Sequence, residues 1–193
     1  MLESLMETDV DLFLAIHHFR NGFFDFIAPW LSNRWIWIPL YLWLAVVVVR
    51  HYKAQSFVII LSFGVMILLS DQGANLFKNN VQRPRPCHNT ELLKEHTVLA
   101  PEGCGGPYGF FSGHASNCFA VALMMTLLIR RKDRDGWRLW LWLFVWAAVV
   151  CWSRVYLGVH YPGDVLCGAL FGMIVSTCVY LVLSKTYLDK RNA

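Results

Sequence analysis

An all-α, polytopic membrane helix bundle with five or six transmembrane helices is the fold class this sequence predicts, and three observations predict it. Of its 193 residues, 56% are hydrophobic and 16% charged, where a soluble domain carries about 25% charged residues; the mean hydropathy is +0.44. Apolar runs recur along the chain at lengths approaching the roughly 20 residues that cross a hydrocarbon core. Lys and Arg fall at the ends of these runs and not on a solvated basic face, so the net charge of +4 reads as membrane topology, with no nucleic-acid partner. Nothing resembling a repeat, a low-complexity tract or a flexible linker divides the chain. Residues 1–193 are therefore expected to form one membrane-embedded domain.

Taken in order, the first apolar segment is Val10–Leu31, which carries Asp11, His17, His18, Arg20 and Asp25 and is interrupted at Asn21-Gly22 and at Pro29. It reads as an interfacial helix followed by a half-span (about 8–32), with a sixth crossing as the alternative. Five further stretches are expected to span: Trp35–Val49, Ala54–Phe77, His114–Ile129, Leu139–Trp152 and Val165–Leu183. The acidic start MLESLMETDVDLF lacks the positive region of a cleavable signal peptide, so insertion is expected to rely on internal spans.

Orientation follows from the basic residues. With Arg50 and Lys53 inside, alternation puts Arg130, Arg131, Lys132, Arg134, Arg138, Lys185, Lys190 and Arg191 inside as well, ten of the seventeen Lys and Arg. Only Arg34, Lys78, Arg83, Arg85, Lys94 and Arg154 then lie outside, with Arg20 unassigned.

That orientation gathers three polar blocks at one membrane face. Lys78 to Pro86 follows the second span; Phe111-Ser112-Gly113-His114 opens the third; Ser153-Arg154 closes the fourth and His160 to Asp164 opens the fifth. Ionisable groups beside a bilayer are costly and mark functional sites. Lys78, Arg85 and Arg154 are three cations, two with the planar fork that fits phosphate oxygens. Ser112 is a candidate N-cap, and backbone N–H groups at a helix start attract anions. Gly113 lets that backbone approach a ligand. Asp164, near a helix start set by Pro162, is within reach of His160; a carboxylate on one ring nitrogen frees the other as nucleophile or base. Two histidines, one carboxylate and three cations suit phosphoryl transfer without a metal, because that reaction depends on positioning and on neutralising equatorial oxygens.

The pattern Lys-x6-Arg-Pro, Ser-Gly-His, Ser-Arg-x5-His-x3-Asp resembles the type 2 phosphatidic acid phosphatase superfamily, membrane lipid phosphatases related to vanadium haloperoxidases and bacterial acid phosphatases. The resemblance covers about residues 55–184. It implies a metal-independent, cofactor-free hydrolase of a lipid phosphomonoester or pyrophosphate: undecaprenyl pyrophosphate, a lipid A phosphate, phosphatidylglycerophosphate or phosphatidic acid. The compact size and internal spans read as a bacterial inner-membrane protein, and the orientation puts its site at the extracytoplasmic face. By the same resemblance His160 is the nucleophile that forms a phosphohistidine, and Asp164 orients it. His114 protonates the leaving alkoxide and then activates water, while Lys78, Arg85, Ser112, Gly113 and Arg154 hold the phosphate. Phe111 departs from the family, which has Pro before Ser-Gly-His, and reads as a substrate-specificity mark. Transfer of the phosphoryl group to a lipid acceptor is the alternative chemistry. An anion or proton-coupled transporter is the alternative from another class, weakened because transporters keep their charges near the midplane.

Other residues have plainer readings. Arg83 reads as a solvated loop charge, Tyr108 and Phe110 as loop packing, and Asp71 beside Gln72 as a hydrogen-bonding partner for a neighbouring helix. Cys87, His88, His96 and Cys104 lack the close Cys pair of a structural zinc site. A Cys87–Cys104 disulfide and two free thiols remain the alternatives for that loop. Cys118, Cys151, Cys167 and Cys178 read as small buried hydrophobes.

Overall fold

The structure is a computed structural model and describes residues 2–90, 92, 103–132 and 137–189. Within them the chain is α-helical, with no strand beyond a single isolated bridge, Pro84 to Tyr108. Lys94, His96, Arg134, Lys190 and Arg191 lie outside the described residues, as does any role expected of them.

The N-terminal segment is two helices, α1 (Leu2–His18) and α2 (Gly22–Ser32). The break falls at the expected Asn21-Gly22, where the Asn21 side chain accepts the Phe24 N–H at 3.1 Å and caps α2. Pro29, by contrast, interrupts nothing and sits inside α2. A proline removes one intrahelical donor, and only one turn of helix follows it, closed by the Asn33 N–H on the Pro29 carbonyl.

A short 3-10 turn, Arg34–Trp37, leads into α3 (Ile38–Tyr52), whose first turn holds Pro39. Lys53, at φ 47°, turns the chain into α4 (Ser56–Val81), 26 residues long. The left-handed Gln82 ends α4 by returning its N–H to the Lys78 carbonyl. After the 83–112 connection come α5 (Gly113–Lys132), α6 (Trp137–Tyr156) and α7 (Pro162–Leu183), the last prolonged by a wider turn to Leu188.

Three helical stretches of the described residues are long and apolar enough to cross a membrane: 34–81, divided at Lys53, and 138–156 and 162–188. α4 and α7 expose Phe57, Leu61, Leu68, Leu166, Ile174 and Val182, the outward apolar face that lipid requires. α5, over the expected span His114–Ile129, is the buried helix of the set. It packs against α4, α6 and α7, and Ala115, Ser116, Ala120, Ala122, Met124 and Leu128 are buried along it. It is the axis of the bundle.

Helices inside a bilayer associate through close packing and interhelical hydrogen bonds, since lipid tails are as apolar as Leu. Both devices surround α5. A Cβ on Gly168 or Gly172 of α7 would run into the Ser112 and Ser116 carbonyls, so α7 lies directly against α5. From α4, Ser70 hydrogen-bonds Ser116 at 2.5 Å and Asp71 accepts the Asn117 amide at 2.8 Å. Asp71 thus pairs with a neighbouring helix as expected. Cys118 and Cys151 are buried, but Cys167 is only half-buried and Cys178 is exposed on the outward face of α7; a small residue there meets lipid at no cost.

Candidate active site

The interhelical contacts bring the three polar blocks to one end of the bundle. α4 carries Lys78 on its last turns, two turns beyond the Asp71–Asn117 hydrogen bond. The following chain is tied back on itself. The Arg85 N–H donates to the Pro107 carbonyl at 3.2 Å, the Gly109 N–H to the Arg83 carbonyl at 2.8 Å, and Arg85 Nε to the Tyr108 carbonyl at 3.1 Å. Cys87 and Cys104 form a disulfide with Cα atoms 6.0 Å apart, and the Cys87 N–H donates to the Gly158 carbonyl at 3.0 Å. The loop holding Arg85 is thereby fastened to the turn that holds His160.

Ser112 caps α5 as expected: its Oγ accepts the Ala115 N–H at 3.4 Å and its carbonyl accepts the Ser116 N–H at 3.1 Å. The Ser112 N–H in turn donates to the Asp164 carbonyl at 3.0 Å, joining the second and third blocks through backbone. At the end of α6, Ser153 Oγ bonds the Val150 carbonyl and Arg154 reaches Ser32 of α2. Gly158, at φ 72°, turns the chain toward His160. Tyr161 then caps α7, Pro162 opens it, and Asp164 Oδ2 accepts the Tyr161 N–H at 3.0 Å.

One cavity of about 570 Å3 results, and Lys78, Arg85, Gly113, His114, Arg154 and His160 all line it. Ser112 and Asp164 are fully buried behind the wall. Asp164 Oδ2 stands 3.5 Å from His160 Nδ1, a contact longer than an ordinary hydrogen bond, and among the described residues none hydrogen-bonds that nitrogen. The imidazole therefore turns its Nδ1 edge to the carboxylate, as an orienting pair requires.

Burial pushes the His160 pKa down to about 4, with Asp164 opposing and the Arg154 and Arg85 charges reinforcing. Burial likewise lowers the pKa of Arg85, against the support of Asp164. A neutral imidazole facing cationic groups is the protonation state that an attacking nitrogen needs.

Four residues belong to this neighbourhood that the sequence did not single out for it. Arg83 is no solvated charge: its guanidinium ion-pairs Asp164 at 2.8 Å and Asp9 at 2.7 Å and lies over the Tyr161 ring at 4.1 Å. Asp9, on α1, has no sequence signal, since its partners are distant in the chain. Gly109 is enforced by close approach; a Cβ there would lie 2.9 Å from Asp164 Oδ2, 3.1 Å from Arg85 Cγ and 3.5 Å from His160 Nδ1. Asp71 lines the cavity in addition to pairing with Asn117. Phe111 meets the cavity nowhere: its buried ring packs on Phe77 and Phe171, with centroids 5.1 and 4.8 Å away. Its departure from the family pattern is accounted for by packing between α4 and α7. Of the loop Cys/His set, Cys87 and Cys104 are committed to each other, and no group of three or more His, Cys, Asp or Glu among the described residues is arranged to hold a metal ion.

Known proteins resemble this chain in sequence and fold. A lipid A 4'-phosphatase of Bacteroides thetaiotaomicron is 28% identical over 190 residues, covering 96% of this chain and 81% of the relative. An undecaprenyl-diphosphatase of Sulfolobus acidocaldarius is 27% identical over 174 residues, covering 87% of this chain and 75% of the relative. The crystal structure of the first transmembrane PAP2 type phosphatidylglycerolphosphate phosphatase from Bacillus subtilis superposes with a TM-score of 0.71 at 21% identity, over 95% of this chain and 88% of that one; at that identity it shares the fold. The PAP2 superfamily model matches residues 59–187, a span that includes all three polar blocks, and the chain belongs to the PAP2 superfamily.

Proposed function

We propose that this PAP2-superfamily membrane phosphatase hydrolyses the phosphomonoester of a glycolipid, of the lipid A phosphate kind, at the extracytoplasmic face of a bacterial inner membrane, through a phosphohistidine and without a metal. The observation that carries the reading is that two histidines and three cations line one cavity, with a buried carboxylate behind one of the histidines.

In the proposed reaction Lys78, Arg85, Arg154 and the Gly113 N–H hold the equatorial oxygens, and the buried Ser112 keeps that helix start in position. His160 Nε2 attacks phosphorus as the bond to the lipid oxygen breaks. His114 protonates the departing alkoxide, then takes a proton from water as that water attacks the phosphohistidine and releases inorganic phosphate. Stabilisation of charge by fixed cations supplies what a divalent metal supplies elsewhere.

Two features favour a lipid bearing a polar headgroup. The cavity shares Tyr41 and Asn117 with an apolar groove of about 480 Å3 between α3, α4 and α5, lined by Leu44, Val48, Phe63 and Ile67. An acyl tail fits that lining. The Asp71 carboxylate, which accepts hydrogen bonds and repels anions, lines the cavity and pairs with Asn117, a residue that cavity and groove share. A sugar phosphate offers it hydroxyl and amide donors, whereas a bare polyprenyl diphosphate offers none and brings a second anionic group. The Bacteroides relative is named for lipid A and the Sulfolobus relative for undecaprenyl diphosphate; the carboxylate favours the former.

A phosphate-release panel over purified lipid A, phosphatidic acid, phosphatidylglycerophosphate and undecaprenyl diphosphate tests this, run beside His160→Ala. Lipid A is expected to lead and His160→Ala to release nothing. Undiminished release by His160→Ala would remove the assigned nucleophile, and loss of substrate phosphate without free phosphate would indicate transfer to an acceptor.

A further inference from the structure

Arg83 and Asp9 are used by no step above, yet both are largely shielded, with side chains 14% and 13% exposed. The two edges of the Arg83 guanidinium are divided between two carboxylates: Nη2 meets Asp9 Oδ2 at 2.7 Å and Nη1 meets Asp164 Oδ1 at 2.8 Å. Asp9 spends its other oxygen on the Gly163 N–H at 2.7 Å, one of the free donors in the first turn of α7. A Cβ on Gly163 would lie 2.8 Å from that carboxylate. Asp164 is thus held by Arg83 on Oδ1 and by the Tyr161 N–H on Oδ2, the oxygen that faces His160 Nδ1 at 3.5 Å.

We infer that Asp9 and Arg83 are positioning residues for the phosphohistidine chemistry: α1, which lies before the family-matched residues, fixes through Arg83 the rotation of the Asp164 carboxylate that aims His160. The inference rests on the hydrolase reading given above. A carboxylate with no exposure is stable as an anion only beside a countercharge, and Arg83 is the cation in contact with it. Rotation about the Cβ–Cγ bond of Asp164 would withdraw Oδ2 from Nδ1. The Arg83 fork opposes that rotation only while its own plane is fixed, and its other edge is fixed by Asp9 with the Tyr161 ring beneath. Asp9, Arg83, Tyr161 and Asp164 do not line the phosphate cavity, which they meet only through His160, so the clamp acts on turnover and not on binding.

The test is steady-state kinetics on the full chain in detergent for wild type, Arg83→Gln, Asp9→Asn and the double variant, normalised to folded protein by the thermal unfolding signal, with His160→Ala as control. Arg83→Gln is expected to lower kcat at least about 30-fold, and Asp9→Asn about 3- to 10-fold, each with KM within about 3-fold of wild type. Added to Arg83→Gln, Asp9→Asn is expected to cost less than about 2-fold further, because residues acting through one another are non-additive. Asp9→Asn is isosteric and carries the test should Arg83→Gln fail to fold. Normal kcat in the folded single variants, a change confined to KM, or multiplicative effects in the double variant would each overturn the clamp while leaving the hydrolase reading intact. An active His160→Ala protein would overturn that reading first, and the clamp with it.

Discussion

The carboxylate of Asp164 lies 3.5 Å behind His160 Nδ1 with no exposure to solvent, while the imidazole lines the same cavity as His114. One side chain is wholly structural in its surroundings and the other faces the ligand space, yet they form a single unit. Asn in place of Asp164 keeps the shape and removes the charge that selects the tautomer. Asp164→Asn is expected to lower kcat by about 1,000- to 10,000-fold, the scale seen when a histidine loses its orienting carboxylate, with KM little changed. Kinetics within 10-fold of wild type would mean that the carboxylate does not orient the ring.

The depressed pKa of His160 has consequences of known sign. A group neutral down to about pH 4 stays nucleophilic as pH falls through 6.5, so its protonation sets no limb of the activity profile above about pH 5. In the unfolded chain the same histidine takes up its proton near 6.5. Between 6.5 and 4 the unfolded state therefore binds more protons, and stability falls as pH falls through that window, levelling out below it. Thermal unfolding in detergent across pH 4–7 is expected to show this decline, and His160→Gln to flatten part of it. Identical slopes for the two proteins would contradict the buried neutral imidazole.

Gly64 lines the apolar groove, and the space above its Cα is open, with no atom within 4 Å of an added Cβ. Gly64→Phe is expected to fill the groove and to lower the ratio of kcat/KM for long-tailed over water-soluble phosphomonoesters at least about 10-fold. Loss of one fully buried apolar contact on this scale corresponds to roughly 1.5–3 kcal/mol. An unaltered ratio would move the tail elsewhere.

Catalysis by cations of the chain predicts indifference to chelators and sensitivity to vanadate, which adopts the five-coordinate geometry of the transition state. Activity is expected to persist in EDTA and to be inhibited competitively by vanadate. A large loss in EDTA, restored by a divalent ion, would require a metal that Lys78, Arg85 and Arg154 were proposed to replace.

Much of this architecture is legible in the sequence. The all-α membrane class followed from apolar runs bounded by Lys and Arg, and the break at Asn21-Gly22 from local capping chemistry, because both depend on neighbours in sequence. Lys78, Arg85, His114, Arg154 and His160 could be named because their residue types and spacing are unusual near a bilayer. Arg83 escapes such a reading for a complementary reason. A single Arg between Gln and Pro looks solvated until the residues that bury it are known, and Asp9 and Asp164 lie 74 positions before it and 81 after it. Local rules flag Pro29 as an interruption and Phe111 as a specificity mark; packing keeps the proline inside α2 and buries the Phe111 ring between α4 and α7.

Taken alone, the amino-acid order determined that helices form, where they begin, and which residue types are suited to phosphate, since hydrophobic length, caps and charge act over a few residues. The tertiary structure decided which groups meet. It drew α7 onto α5 through Gly168 and Gly172, closed the Arg85 loop with Cys87 and Cys104, and set a clamp from α1 behind Asp164. Such meetings are settled by packing between segments remote in sequence, where a missing Cβ or one shared guanidinium fixes distances that no local pattern records.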